Sequence, residues 1–304
     1  MPIVTAMGLD VMRDIAIEEW MGASPVYTKR MQRLLGFEGD TVEVALKGMQ
    51  LDIGAPPEFM DFRLEVEDDH HGSFHLDHCG ALMDVEPMGE AFVVAMCHHI
   101  EDPTFDATGW ATNPKLRMRP IHRPPRTPAD RHPHCAWTVT IDPDAEDTPT
   151  PERSLEIGRT NAAQVPLATI DGPSDDGCAD YAGPLDPDLR MEDFSSPVLR
   201  ALVDEVSLQG HLLVLAFASA VAERVDREQT VDIVSKQLTG VAGVAAARLA
   251  EAFGLGDRAA DLATAFELHP AFHPRAYVDW RVELDGDVVR LALGDGPART
   301  EGFE

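Results

Sequence analysis

Between His70 and Asp106 the sequence reads HHGSFHLDHCGALMDVEPMGEAFVVAMCHHIEDPTFD. This stretch holds two of the four cysteines and six of the twelve histidines, with a run of carboxylates. Thiol, imidazole and carboxylate are the groups that ligate metals or serve as nucleophiles and bases. A third cysteine, Cys135, follows His132 and His134 in RHPHCAWTVTID. The fourth, Cys178, sits in an Asp/Gly-rich stretch with no such neighbours.

Cys79 is the strongest nucleophile candidate. In a strand, alternate residues share a face, which would put Cys79 beside His75 and Asp77. His75 or His78 would then act as base and Asp77 as the orienting group, since a thiolate needs a nearby base or cation. The plainer reading is a half-buried thiol packing as a small apolar residue. Cys97 lies towards the end of a predicted helix, beside His98 and His99, where the negative end of the helix disfavours a thiolate. Cys79, Cys97 and Cys135 with His98 and His134 form a candidate ligand set for zinc or iron. No Cys-x-x-Cys pair supports it. Lys115, Arg117, Arg119, Arg123, Arg126 and Arg131 face a single local acid, Asp130. Arginine forks suit carboxylates and phosphates, so Arg117, Arg119 and Arg123 are expected to hold a small anion. Internal ion pairs to Glu101, Asp102 and Asp106 are the competing use.

The whole chain narrows the function classes. A formal charge of −28 over 304 residues argues against nucleic-acid and anionic-membrane partners. An apolar content of 44% is enough for a core. Residues 1–10 have neither the basic start nor the apolar centre of a secretory signal. The longest apolar run, 212–222, is short for a bilayer span. Four cysteines do not make a disulfide framework, so a reducing cytoplasm is expected. There is no GxGxxG, Walker loop, GxSxG or HExxH.

The elements that must position these groups read as follows. A helix covers 10–35, with Pro25 breaking or kinking it and Gly36 capping it. Asp40-Thr41-Val42-Glu43 is a capping box opening a helix to about Leu51. Strands are expected at 59–66 and 73–79 around a turn. Pro87 opens a helix to about His99, ended by Asp102-Pro103. Residues 104–130 read as loop, 135–141 as strand, and 142–194 as a long surface excursion with a short strand near 165–170. Ser196-Pro197 starts a long helix, apolar nearly all round from Leu212 to Val221. Asp226 with Gln229 caps a helix to Gly254, a short helix follows from Asp257, and strands at 277–284 and 287–293 close the chain.

The end of the chain repeats its beginning. Residues 14–37 align without a gap on 232–255, MDFRLEV (60–66) on VDWRVEL (278–284), and FHLDHCGA (74–81) on LALGDGPA (291–298). The expected fold is α+β, with internally duplicated α-α-β-β modules forming a pseudo-twofold core of antiparallel sheet and packed helices. The first copy occupies 1–82. An insertion over 83–195 carries the Cys/His/Arg segment and the Pro/Asp-rich excursion. The long helix and second copy fill 196–304, all within one compact unit. Where the first copy has His75, Asp77 and Cys79, the second has Ala292, Gly294 and Gly296.

At its three cysteines the sequence resembles the L-2-amino-thiazoline-4-carboxylic acid hydrolase-like family. In that pattern a strand ends in Cys-Pro, a helix carries a second Cys with an acid soon after, and a later strand begins with Cys. Cys79-Gly80, Cys97 with Glu101/Asp102, and Cys135-Ala136-Trp137 take those places, and Gly296-Pro297 looks like the second copy's version of the first pair. The resemblance covers 60–141; Gly80 replaces the proline, Trp137 follows the third cysteine, and the acid spacing differs. It implies hydrolytic opening of a small cyclic C–N compound bearing a carboxylate.

Two functional expectations follow. One is a cysteine-dependent hydrolase or lyase acting on a small anionic compound. The other is a non-catalytic metal- or small-ligand-binding protein built on the same cysteines, and packing alone is the plainest use of them. The partners in view are the small molecule and a second copy in a homodimer.

Overall fold

A computed structural model describes residues 2–173 and 175–301. Helices α1 (Pro2–Met7), α2 (Leu9–Leu35) and α3 (Val42–Gln50) lead into the hairpin of β1 (Met60–Val66) and β2 (His71–Cys79). A helical segment follows: α4 (Gly80–Val85), α5 (Glu90–Val94), a π turn over Ala95–Ile100, and α6 (Glu101–Trp110). Strands β3 (Leu116–His122) and β4 (Cys135–Ile141) come next, then short α7 (Glu152–Ile157) and α8 (Asn161–Gln164). Long helices α9 (Ser196–Ala222) and α10 (Arg227–Phe253), then α11 (Ala259–Leu268), β5 (Trp280–Asp285) and β6 (Val288–Leu293), complete the fold.

The fold is α+β with antiparallel sheets. One has four strands in the order β1-β2-β4-β3, and the other is the β5–β6 hairpin. Alternation explains the larger sheet. Leu64, Phe74, Leu76, Leu116, Met118, Trp137 and Val139 point to one face and join α3 and the 80–97 segment in a core. Arg63, His75, Arg119 and Thr138 lie at the intervening, more exposed positions. Phe74 stacks on Trp137 with 6.0 Å between centroids, and Phe105 meets Trp137 edge-on at 4.9 Å.

Behind this layer α2 runs antiparallel to α9. Arg30 meets Glu205, Gly22 faces Ala216, and Glu18 meets Arg224. The Arg30 fork gives Nε to Glu205 Oε2 and Nη2 to Oε1, both at 2.7 Å, and Nη1 donates to the Val165 carbonyl at 2.8 Å. Helix α9 is long and apolar enough to cross a membrane by composition, and here 72% of its most apolar stretch is buried within the fold.

Several expectations are corrected. Pro25 leaves α2 unbroken, because its buried position gains packing that offsets the lost N–H bond. The cap of α3 is Thr41, which accepts from the Val44 N–H, rather than Asp40. Pro103 does not end its helix. The π turn just before it widens the ladder where the proline has no N–H to give, and α6 runs on to Trp110. Residues 116–122 form a strand within the supposed loop; its Pro120 is tolerated because β3 is an edge strand. The 142–194 excursion is not confined to the surface: Ile157, Ala162, Val165, Tyr181, Leu189 and Phe194 are buried. Its expected strand near 165–170 is absent, and the Val165 and Pro166 carbonyls accept from Arg30 instead.

The aligned halves carry the same elements. Helices α2 and α10 are each 27 residues long and end on left-handed glycines, Gly36 (φ 70°) and Gly254 (φ 61°). The hairpins share their register: Phe62 pairs with Leu76 and Leu64 with Phe74, as Trp280 pairs with Leu293 and Val282 with Leu291.

The Arg30–Glu205 pair generates a stability prediction. Glu205→Ala leaves a buried guanidinium unpaired and should cost about 3–5 kcal/mol in urea unfolding, whereas Arg30→Met with Glu205→Leu should recover most of it. A single-variant loss below about 1 kcal/mol would show that the pair does not hold this seam.

Candidate functional site

A bulge decides which way Cys79 points. Phe62 pairs with Leu76 but Met60 pairs with Cys79, so β2 has an extra residue between those pairs. The bulge turns Cys79 into the core with Phe74 and Leu76. His75 and Asp77 stay on the opposite face, where His75 Nε2 lies 3.5 Å from Asp77 Oδ1 and Arg63 Nε lies 3.4 Å from Asp77 Oδ2. His78 is exposed. The expected grouping of Cys79 with His75, Asp77 and His78 is therefore not what the fold assembles, because strict alternation fails at the bulge.

The fold does bring the three cysteines together. Cys79 ends β2, Cys97 lies in the π turn and Cys135 begins β4; all are 2–3% exposed and belong to one core. Burial pushes the Cys79 thiol up to about 12, with the Glu101 charge adding to it and the Leu82 and Ala81 N–H groups opposing it. The Leu82 N–H donates to Cys79 Sγ at 3.4 Å, making the thiol the cap of α4. Cys97 and Cys135 are pushed up further, again by burial first and Glu101 second. In each, neighbouring thiols add to the rise. Three thiols in this setting remain protonated at neutral pH and are poor nucleophiles.

Glu101 opens α6 and is 6% exposed. Burial lifts its carboxyl to about 8; Arg123 opposes the rise and Asp102 adds to it. Its Oε2 is buried with no hydrogen-bond partner. A buried carboxyl without a partner is costly, so it marks a place where a ligand or water group would be stabilised.

The remaining predicted residues are otherwise engaged. Arg117 donates to the carbonyls of Pro114 (3.0 Å) and Leu116 (2.8 Å). Arg119 pairs with Asp106 at 2.9 Å, and Arg123 with Asp102. The competing use as internal ion pairs is thus seen for two of the three arginines, and none of the three lines the cleft described next. His98 Nε2 lies 2.7 Å from the Pro124 carbonyl oxygen. His134 is buried beside His132, with ring centroids 4.9 Å apart, and its Nδ1 lacks a partner. Among the described residues no three His, Cys, Asp or Glu side chains are placed to hold a metal ion. The Cys79, Cys97, Cys135, His98 and His134 set does not converge as a zinc or iron cage would require.

Glu101 also lines an apolar cleft of about 240 Å³. Its walls come from Trp20 of α2, Met49 of α3, Phe59 and Phe62 around β1, Met96 of the π turn, and Phe105 of α6. Thr104 and Thr108 line it, but both hydroxyls already donate to backbone carbonyls. Asp52 completes the polar part. Burial lifts it to about 6, against the pull of the Tyr27 hydroxyl at 2.6 Å and the Gly54 N–H at 2.8 Å. Phe59 lies over Gly80, where a Cβ would stand 2.3 Å from the ring. A side chain at position 80 would meet the Phe59 ring, so glycine fits there.

Sequence reasoning missed this cleft. One signal was present: Cys97, Glu101, Thr104 and Thr108 recur at helical spacing, but only if the helix continues past Pro103. Compared with known proteins, the chain matches no family model, no curated protein and no solved structure.

Two outcomes are expected. In the native protein at pH 7 a thiol reagent should modify one cysteine quickly, the exposed Cys178, and the other three only on unfolding. Rapid labelling of Cys79 would overturn this reading of its burial.

The second concerns pH. A carboxyl raised from 4.5 to about 8 by folding keeps a proton that the unfolded chain loses. The stability this group contributes should therefore be full below about 4.5 and be lost as pH rises towards 8. Glu101→Gln should flatten this slope and exceed the wild type at pH 8.5 by roughly 2–4 kcal/mol in thermal or urea unfolding. An unchanged slope would show that Glu101 ionises freely.

Proposed function

We propose that this chain is a non-catalytic small-ligand-binding protein of the cytoplasm, whose ligand is a compact, mainly apolar molecule with one uncharged hydrogen-bonding group. The observation that carries the reading is an apolar cleft whose lining includes the buried Glu101, one of whose carboxyl oxygens has no hydrogen-bond partner. At neutral pH that carboxyl is largely protonated, so it can give as well as accept a hydrogen bond. A dry cavity of about 150 Å³ accommodates benzene, so a cleft of about 240 Å³ suits a ring with a short substituent.

The cysteine-dependent hydrolase is the second reading. It is favoured by one observation, the Cys79 thiol standing at the N-terminus of α4, a position that lowers thiol pKa when solvent can reach it. Its burial weighs against that. The small anionic substrate has weaker support, because no lysine or arginine lines the cleft. We further propose that the two halves arose by duplication, on the strength of equal helix lengths, shared glycine caps and a shared hairpin register from 62–66 with 72–76 to 280–284 with 289–293.

Titration with benzyl alcohol and with benzoate tests the binding reading by calorimetry. Benzyl alcohol should bind with Kd of about 0.01–1 mM at pH 7, and benzoate at least about tenfold more weakly. Ala81→Phe, which fills the cleft from its wall, should weaken benzyl alcohol by at least about tenfold without lowering Tm. Benzoate binding as tightly as the alcohol, or indifference to Ala81→Phe, would overturn the assignment.

A further inference from the structure

Four strand edges face outward in this fold, and three carry protection against pairing with another chain. β1 has Asp61, Arg63 and Glu65; β3 has Arg117, Arg119 and Pro120; β5 has Arg281, Glu283 and Asp285. Charges and proline are the usual devices that blunt an exposed edge. The fourth edge, β6, reads VVRLAL. It has one charge, no proline and no bulge along its register with β5. Among the described residues no strand pairs with its other side. Leu291 and Leu293 are 46% and 66% exposed, and Leu284 across the hairpin is 48% exposed.

The first half of the chain shows what such an edge accepts. Carried through the shared register, β6 corresponds to β2, whose matching edge is paired antiparallel with β4. There Phe74 faces Trp137 and Leu76 faces Cys135, apolar against apolar. The Leu76 carbonyl accepts from the His134 N–H at 2.8 Å, so residues of this parity turn their backbone groups towards β4. Their equivalents on β6 are Val289, Leu291 and Leu293. The first half thus has two hairpins joined edge to edge, whereas the second half has one hairpin with the joining edge open.

We infer that β6 pairs antiparallel with the β6 of a second copy of this chain, about a twofold axis at Leu291. The occupant is set by self-complementarity. With Leu291 on the axis, Leu291 meets Leu291, Val289 meets Leu293, and Arg290 meets Ala292. Apolar residues then oppose apolar ones across the seam, and the single arginine opposes an alanine, so no like charges meet within the strand. The result is a four-stranded sheet, β5-β6-β6-β5, matching the plan of β1-β2-β4-β3, and a closed isologous pairing that leaves only the protected β5 edges outward. In a chain of net charge −28 the strand itself contains no carboxylate. Asp287 and Asp295 fall opposite each other just beyond its ends, so added salt should tighten association. None of these residues lines the cleft, and ligand binding and pairing are separable.

Sedimentation velocity on the full chain tests the inference. Twice the single-chain mass is expected at about 0.1 mM in 0.5 M salt, with Kd falling at least about threefold from 0.1 M to 0.5 M salt. Leu291→Lys sets two ammonium groups against each other on the axis and should raise Kd at least about tenfold. Val241→Lys, on the exposed side of α10, should leave it unchanged. Should Leu291→Lys disturb the fold by circular dichroism, crosslinking carries the test. Leu291→Cys in a Cys178→Ser background should oxidise to a disulfide-linked dimer. A monomeric wild type, a dimer indifferent to Leu291→Lys, loss of the dimer with Val241→Lys, failure of the Leu291→Cys chain to crosslink, or open-ended assemblies in place of a dimer would each overturn it.

Discussion

The Arg30–Glu205 pair ties three separate stretches of this chain together. Glu205 is 3% exposed, and its carboxylate receives the Arg30 fork and the Ala168 N–H at 2.9 Å. The same arginine holds the carbonyls of Val165 and Pro166. Two 27-residue helices and the middle of the 142–194 excursion are thus tied at one point. A slip of α2 along α9 by one turn would leave two buried charges without partners, which costs more than the packing of an apolar seam could return. The pair therefore acts on register more than on net stability. Register in turn places Trp20 and Tyr27, the first as a wall of the cleft and the second as the hydroxyl that holds Asp52.

Local chemistry made most helices legible. Gly36 and Gly254 adopt the left-handed conformation a C-terminal cap needs, and Asp226 accepts from the Gln229 N–H at 2.9 Å. Strands with alternating apolar residues, β1, β2, β4, β5 and β6, could be read for the same reason. What was illegible depended on contacts distant in sequence. Pro25 and Pro103 look like breakers locally, yet burial in one case and a π turn in the other keep the helices running. β3 offers only Leu116 and Met118 as apolar alternation, and its partner β4 lies beyond a proline-rich loop.

The dense segment 70–106 contains Glu101, but its composition does not show how that region is built. Cys79, Cys97 and Cys135 share a core because a strand end, a π turn and a strand start converge there. No local pattern announces the bulge between Leu76 and Cys79. One extra residue moved the thiol away from His75 and Asp77 and replaced a polar, solvated setting with an apolar one. Glu101 was visible as the acid after Cys97, yet its weight comes from burial and a missing partner, which only the folded chain reveals. The arginines were an outlier in composition for a local reason, since they neutralise Asp102, Asp106 and Glu86 around the same segment.

The charge of the cleft follows from this arrangement. Among its lining residues only Asp52 and Glu101 can ionise, and both are pushed up for the same cause, loss of water. Asp52 has two donors to stabilise its anion and ionises near 6; Glu101 Oε2 has none and holds its proton to about 8. Between those values the cleft lining carries one charge, on Asp52, and one neutral acid, Glu101. A cation would be drawn to Asp52, where its charge is already answered by Tyr27 and Gly54. A carboxylate ligand would meet repulsion from Asp52 and, above about pH 8, from Glu101 as well. A neutral molecule with one donor or acceptor meets neither penalty. For a chain whose surface is strongly anionic, that discrimination needs no cationic residue in the cleft: desolvation of a single carboxyl supplies it.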